Sequence, residues 1–365
     1  MTDLQHNKNA AAPSRPWRHW LSQQPVATSA PCRIDMGGTL DISTFYVPLQ
    51  NLQPTTFNLA LDLRTRVELH PYLAGRVRIA SRGFKSAEFA GGQAPYNHRF
   101  GLMFAICDFF GATGVQIRVD SASPPRSALG GSSVAAVALV AAFAEVARRV
   151  GEAACSRHQV ADIAYIIEAA VAGVACGRQD QLAAAFGGVN EWRWHSPIAD
   201  DAFDHKRLSP VGGDRALETA ILVAYAGNPH VSATINRRWV TQFLAGKSRQ
   251  EWANIIACTQ HFCRAIEDGD FATAATAVNE EVAIRETLTP DVFDAMGRQL
   301  KVAALKLGCG ARFAGAGGGG CIWAIGAPDA IAELRPEWER LLAAEKEPRL
   351  LLWGIDDEGV QVEST

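Results

Sequence analysis

Three segments of this 365-residue chain combine small residues with groups able to hold an anion or a metal ion. The first is Pro125-Arg126-Ser127-Ala128-Leu129-Gly130-Gly131-Ser132-Ser133, which follows an alternating strand pattern and opens an apolar helical run. Small residues let the backbone approach an anion closely, and a helix start adds unpaired N–H groups and the positive end of its dipole. Serine hydroxyls there can bind a phosphate oxygen or Mg²⁺. Taken alone, the segment also reads as a Ser-capped helix with a flexible lead-in. It lacks the G-K-[ST] ending of the common NTPase loop.

The second segment, Gly315-Ala316-Gly317-Gly318-Gly319-Gly320, matches G-x-G-x-x-G literally. A dinucleotide fold needs a strand before such glycines and a helix after them, whereas these run straight into a strand pattern at 321–325. Five glycines in six residues carry an entropic cost, and they mark a place where backbone passes close to something. The third segment joins Glu168, on a helical pattern, to Asp180 in the Gly-flanked stretch Cys176-Gly177-Arg178-Gln179-Asp180-Gln181. Phosphoryl transfer uses one carboxylate for Mg²⁺ and another beside the attacking hydroxyl. The plain alternative is a solvated helix Glu and a turn-capping Asp.

The elements that position these segments follow from periodicity. Strands are predicted at 56–63, 67–69, 76–81 and 114–120, with a helix at 96–110 between the last two. A long Ala-rich helix follows the first glycine segment, then a helix at 156–171 and a strand at 187–195. After a polar stretch at 196–214 come a strand at 217–226 and helices near 232–245, 249–267, 270–286 and 290–307. The strand at 321–325, a helix at 328–345 and a strand at 349–354 close the pattern. Strands and helices mix without strict alternation, which predicts an α+β fold in two lobes. Residues 1–27 read as a mobile N-terminal arm with a short helix near 16–23 that Trp17 and Trp20 could anchor. Residues 28–205 and 206–365 read as the two domains.

Composition narrows the function. Thirty-five Lys and Arg against 38 Asp and Glu give a net charge of −3, too balanced for a nonspecific nucleic-acid or anionic-membrane binder. Eight cysteines show no C-x-x-C and no zinc-finger spacing, and most sit in apolar runs, which predicts reduced thiols and a cytoplasmic protein. No apolar run reaches the roughly 18–20 residues of a membrane span, and no secretion signal is visible.

The three segments occur together and in order. Ala128-Leu129-Gly130-Gly131-Ser132-Ser133 resembles the phosphate-loop motif of the GHMP kinase superfamily, and Gly310–Gly320 resembles its third motif. Arg33-Ile34-Asp35-Met36-Gly37-Gly38-Thr39-Leu40-Asp41 is similar to the R-I-D-x-x-G-G-x-x-D opening of its fucokinase and heptose-phosphate kinase branch. Gly177-Arg178-Gln179-Asp180-Gln181 is similar to that branch's G-K-Q-D-Q. The resemblance implies a two-lobed GHMP kinase fold, a ribosomal S5 domain 2-like N-terminal lobe with a C-terminal α+β lobe, and ATP and Mg²⁺ as cofactors. It implies that Ala128, Leu129, Gly130, Gly131, Ser132 and Ser133 wrap the triphosphate, and that Ser132 and Glu168 hold the metal. Asp180 would accept or orient the proton of the attacking hydroxyl, with Arg33 near the transferring phosphate. Asp41, Gly37, Gly38, Gln179, Ser232, Gly317 and Gly318 would meet the substrate. The sequence departs from the family in three places. Ala128 stands for the loop's first glycine, Gly131 stands for a serine, and the first motif is one residue short before its glycine pair.

The implied reaction is phosphorylation of the anomeric hydroxyl of a sugar or sugar phosphate, a heptose 7-phosphate foremost. Candidate cations for a distal phosphate are Arg64, Arg66, Arg82, Lys85, Arg126, Arg237 and Arg238. The competing readings are a catalytically silent sugar sensor of the same fold and a kinase for a non-sugar alcohol such as mevalonate. The partner is a small molecule, with no nucleic acid and no membrane, and a homodimer is left open.

Overall fold

The computed structural model describes residues 16–196, 202–227, 232–344 and 347–363. The first half runs α1 (Trp17–Gln23), β1 (Val26–Met36), α2 (Ser43–Tyr46), β2 (Thr55–Pro71), β3 (Arg76–Ser81), β4 (Ala87–Ala90) and α3 (Gly101–Phe109). It continues through β5 (Val115–Ser121), α4 (Gly131–Arg149), α5 (Arg157–Val171), α6 (Gln179–Phe186), β6 (Val189–Trp194) and β7 (Phe203–Arg207). The second half runs α7 (Gly213–Thr219), β8 (Ile221–Tyr225), α8 (Ser232–Leu244), α9 (Arg249–Asp268), α10 (Phe271–Leu288) and α11 (Ala295–Lys306). It ends with β9 (Gly310–Phe313), β10 (Cys321–Ile325), α12 (Pro328–Leu342), β11 (Arg349–Leu350) and β12 (Gln361–Glu363).

Two sheets result. The larger has the order β12-β1-β2-β5-β3-β4, with β6 and β7 added on β2, and the smaller has the order β11-β8-β10-β9. The fold is α+β, as the mixed pattern predicts. Every residue of β1 is buried, because α4 and α6 pack on it while β2 and β12 flank it. Such a strand shows no apolar/polar alternation, and the sequence pattern gives no sign of it. Its register against β2 shifts between Pro31 and Cys32, at a residue with no N–H to give to the ladder. One 17-residue strand, β2, replaces the two predicted at 56–63 and 67–69. Its first seven residues are buried without alternation, and alternation begins only near Thr65. At the break Arg64 pairs with Asp356.

The other departures have local causes. The helix predicted at 96–110 starts only at Gly101, and the strand predicted from 217 starts at Ile221 because α7 extends to Thr219. The segment holding Asp180, read as a loop, becomes α6 from Gln179. Trp17 and Leu21 are fully buried, and Trp17 stacks edge-on against Phe143 at 5.1 Å. Residues 17–23 are therefore docked rather than mobile, while residues 1–15 lie outside the described residues. The predicted 205/206 boundary falls inside β7, and β12 brings residues 361–363 back to the first sheet. The long apolar helix α4 meets the length and hydropathy of a membrane span, but its residues from Ser133 to Ala147 are buried inside the fold.

Candidate active site

A cavity of about 800 Å³ lies where the start of α4, the turn after β1, the start of α6 and the segment after β9 converge. Its floor is the first glycine segment. Gly130, at φ 80°, forms the helix boundary with no side-chain cap, and Val134 N–H donates to Gly130 O at 2.9 Å as the first rung. The N–H groups ahead of that rung are left for a ligand, where an ordinary Ser or Asp cap would take one. A Cβ at Gly131 would meet nothing within 4 Å, so the loop is open there. Leu129, by contrast, is fully buried beneath it.

The close approach that the second glycine segment implies is to this floor. Cys321 N–H donates to Ser127 O at 2.7 Å, and a Cβ on Gly320 would lie 2.7 Å from the backbone of Ser127. A Cβ on Gly315 would lie 3.2 Å from Ala128 O. Gly315 and Ala316 line the cavity. Gly317 and Gly318, assigned to the substrate from the sequence, turn away: Gly318 N–H bonds Val292 O at 2.7 Å, and added Cβ atoms would strike Val292 and Ile235.

Ala128 adopts φ 64°, the left-handed region in which an L side chain costs roughly 1–2 kcal/mol. The missing glycine of the motif is thus a strained alanine. Ala128→Gly is expected to leave the melting temperature unchanged or raise it, against the usual loss for Ala→Gly, because strain relief of that size offsets the roughly 0.5–1 kcal/mol entropic cost of glycine. Thermal unfolding checks it, and a clear drop would show that the loop needs the methyl.

The acids meet the loop from α5 and α6. Glu168 Oε1 accepts from Ser132 Oγ at 3.3 Å and Oε2 from Gln181 Nε2 at 2.7 Å. Burial pushes its carboxyl above the ordinary value, with the charge of Asp180 adding to the shift. Ser132 and Glu168 are two hard oxygen donors side by side, with Ser132 exposed. That suits Mg²⁺, which keeps several waters and takes phosphate oxygens besides one or two protein ligands. Among the described residues no cluster of three or more His, Cys, Asp or Glu forms a closed metal cage.

Asp180 sits in the first turn of α6, where a carboxylate is favoured. Its Oδ1 accepts from Arg33 Nε at 2.8 Å and lies 2.7 Å from Arg33 Nη2. Arg33 is buried, and its Nη1 donates to Ala128 O at 2.8 Å. One guanidinium therefore fixes both the acid and the 128–133 turn.

Asp41 is buried beside this pair, accepts the N–H of Gln179 at 3.0 Å, and is pushed up to about 6 by burial, with Asp180 and Asp35 as further negative neighbours. A Cβ on Gly177 would sit 1.7 Å from Asp41 Oδ2, which explains the glycine before Arg178. Above about pH 6 Asp41 is ionised and accepts hydrogen bonds; below it the carboxyl is neutral and half of that capacity is lost. We expect kcat/KM for the phosphate acceptor to fall as pH drops through about 6, and the limb to vanish in Asp41→Asn. A pH–rate profile of both enzymes checks this.

Gly37 and Gly38 shape the turn without lining the cavity. A Cβ on Gly37 would strike Thr55 O and one on Gly38 the carboxylate of Asp35. Thr39, which the sequence did not single out, lines the cavity at φ 82°, a rare position for a β-branched residue. The side chain of Ser232 lies outside the described residues. Of the candidate cations, Arg82 and Arg126 line the cavity. Arg64, Arg66 and Arg238 are paired with Asp356, with Glu68 and Glu363, and with Asp291.

The sequence also gave no role to a buried ionic network behind the turn. Asp35 accepts from Gly315 N–H at 2.7 Å and Arg312 Nη1 at 3.3 Å, and Arg312 Nε bonds Glu281 at 3.0 Å. Arg285 bonds Glu281 and Gly38 O, both at 2.7 Å, and lies 4.6 Å from each of the Trp239 and Trp252 rings. It ties α10 and β9 to the strand and turn that carry Arg33 and Asp41.

Residues 98–188 match the profile of the GHMP kinases N terminal domain, a span holding the 128–133 turn, Glu168 and Asp180. A 68-residue stretch is 44% identical to the D-glycero-alpha-D-manno-heptose 7-phosphate kinase of Campylobacter jejuni, covering 18% of this chain and 19% of that relative, so the match spans about a fifth of its length. A D-glycero-D-manno-heptose 1-phosphate kinase from Bacteroides thetaiotaomicron is similar in structure, with TM-score 0.70 and 16% identity over 93% of this chain and 99% of that one. Lactococcus lactis galactokinase complexed with galactose gives TM-score 0.70 at 15% identity, over 93% and 95%. Streptococcus pneumoniae phosphomevalonate kinase in complex with phosphomevalonate and AMPPNP gives 0.69 at 16%, over 90% and 99%. These structural likenesses are likenesses of fold.

Proposed function

We infer, from a chain that carries the N-terminal domain of the GHMP kinases within a fold similar to theirs over nine-tenths of its length, that it is an ATP- and Mg²⁺-dependent sugar kinase. It phosphorylates the anomeric hydroxyl of a sugar or sugar phosphate, a heptose 7-phosphate being the leading candidate. The observation that carries the reading is the joint placement of the uncapped helix start, the Ser132–Glu168 pair and the Arg33–Asp180 pair on one cavity.

Each group then has a task. The free N–H groups of the 128–133 turn hold the triphosphate, and Ser132 and Glu168 would hold Mg²⁺. The metal, when bound, neutralises charge building on the phosphate oxygens. Arg33 adds a fixed positive charge beside the loop and keeps Asp180 oriented. Asp180 takes the proton of the attacking hydroxyl late in the transfer, which an anomeric hydroxyl, acidic for an alcohol, makes easy. Asp41 accepts from sugar hydroxyls. Catalysis is mainly positioning and charge neutralisation, within the range such preorganised sites supply.

The test is ADP release with ATP and Mg²⁺ over a panel including D-glycero-D-manno-heptose 7-phosphate, L-fucose, D-galactose and mevalonate, with ³¹P NMR of the product. Turnover of a sugar giving a 1-phosphate supports the reading. Sugar-dependent thermal stabilisation without turnover would make the chain a sensor, and turnover of mevalonate alone a different kinase.

A further inference from the structure

Two buried amide oxygens on residues that line the cavity have no hydrogen-bond partner among the described residues: Gln179 Oε1 and Asn236 Oδ1. Both residues line the cavity, Gln179 from α6 and Asn236 from α8 in the other half of the chain. A buried carbonyl oxygen without a donor is unfavourable in the empty protein, and it is satisfied when a ligand brings the donor.

The orientation of Gln179 is set by its neighbours. The residue is 6% exposed and its backbone N–H is held by Asp41. Its Nε2 lies on the side of Gly38 where Asp35 Oδ2 sits: a Cβ on Gly38 would be 2.8 Å from the first and 2.2 Å from the second. A carboxylate draws the NH₂ end of an amide, which leaves the oxygen as the free end. Asn236 follows Ile235, the residue packed on Gly318, so the second glycine segment braces this part of α8 against the cavity.

The Asp41 and Asp180 carboxylates line the same cavity as these two amide oxygens, which gives it four side-chain acceptors of this kind alongside cations such as Arg82 and Arg126. Arg33, the cation in contact with Asp180, is already bonded to it and to Ala128 O. Acceptors without donors of their own suit a ligand that carries several hydroxyl groups.

We propose that Asn236 is a specificity-determining residue whose Oδ1, together with Gln179 Oε1, accepts hydrogen bonds from free hydroxyls of the acceptor. This rests on the sugar-kinase reading.

The experiment compares wild type, Asn236→Leu and Asn236→Asp in the full chain, with ATP and Mg²⁺ and with D-glycero-D-manno-heptose 7-phosphate, D-mannose and mevalonate as acceptors. Asn236→Leu is expected to raise KM for the sugar about tenfold, with KM for ATP unchanged and kcat lowered less than threefold. Asn236→Asp keeps an acceptor oxygen and is expected to restore the sugar KM to within about threefold of wild type. The unliganded melting temperature of Asn236→Leu is expected to match or exceed wild type, because an unsatisfied oxygen is replaced by carbon; a merely structural Asn would lower it. A sugar KM left unchanged by Asn236→Leu, or a loss shared equally with ATP, overturns the proposal while the sugar-kinase reading stands. A wild-type enzyme that turns over mevalonate and no sugar overturns both.

Discussion

Replacing Asp180 by Asn is expected to cut turnover by about 10²- to 10⁴-fold while nucleotide affinity stays within a few-fold of wild type. Asn keeps the size of the side chain and one oxygen for Arg33, so the α6 start and the 128–133 turn remain in place. It cannot take a proton, and it turns a charge-assisted pair into a weaker neutral–cation bond. The loss therefore belongs in kcat and not in the binding of ATP. Steady-state ADP release with calorimetric titration of a non-hydrolysable nucleotide separates the two. Turnover near that of wild type would remove Asp180 from the chemistry, and a large loss of nucleotide affinity would show that its main work is to hold Arg33 and, through it, Ala128.

The largest effect on stability is expected at Arg312. It is fully buried and answers Glu281 at 3.0 and 3.2 Å and Asp35 at 3.3 Å, with a further bond to the Asp35 carbonyl at 2.9 Å. Arg312→Met fills the volume but removes the cation that two buried carboxylates share, leaving Glu281 to Arg285 alone and Asp35 to Arg33 at 3.5 Å. Removing one partner of such a group costs about 3–5 kcal/mol, whereas an exposed pair is worth about 1 kcal/mol or less. Urea unfolding of wild type and variant decides between those values. A change under 1 kcal/mol would mean that water reaches the network. Because Asp35 also holds Gly315 N–H, the surviving folded fraction is expected to show a raised KM for ATP.

What the sequence discloses of this site is set by backbone geometry. Gly130 needs its φ of 80°, Gly177 must clear Asp41, and Gly320 must clear Ser127, so each leaves a glycine that cannot be exchanged cheaply. The two acids stand out because they are charged residues beside such turns. What stays hidden has equally physical reasons. β1 carries Arg33 and Asp35, yet it is covered on both faces and holds a proline, so it lacks the alternation by which strands are recognised. α6 opens on Gln, Asp and Gln and shows its apolar face only after Asp180. The short strands β7 and β12 are polar, and β12 gains its partner β1 from the far end of the chain. Asp35 and Arg312 are 277 residues apart, and no local pattern announces that they meet. Asn236 is one polar residue on an amphipathic helix, and only the unsatisfied oxygen distinguishes it.

The pairing of Gln361–Glu363 with Ala27–Ser29 carries a consequence for biosynthesis. During translation, the strand that bears Arg33 and Asp35 keeps one sticky flank unpaired until residue 363 has cleared the ribosome. Such a strand completes its pairing late, and until then its open flank is exposed to edge-to-edge contacts with other chains.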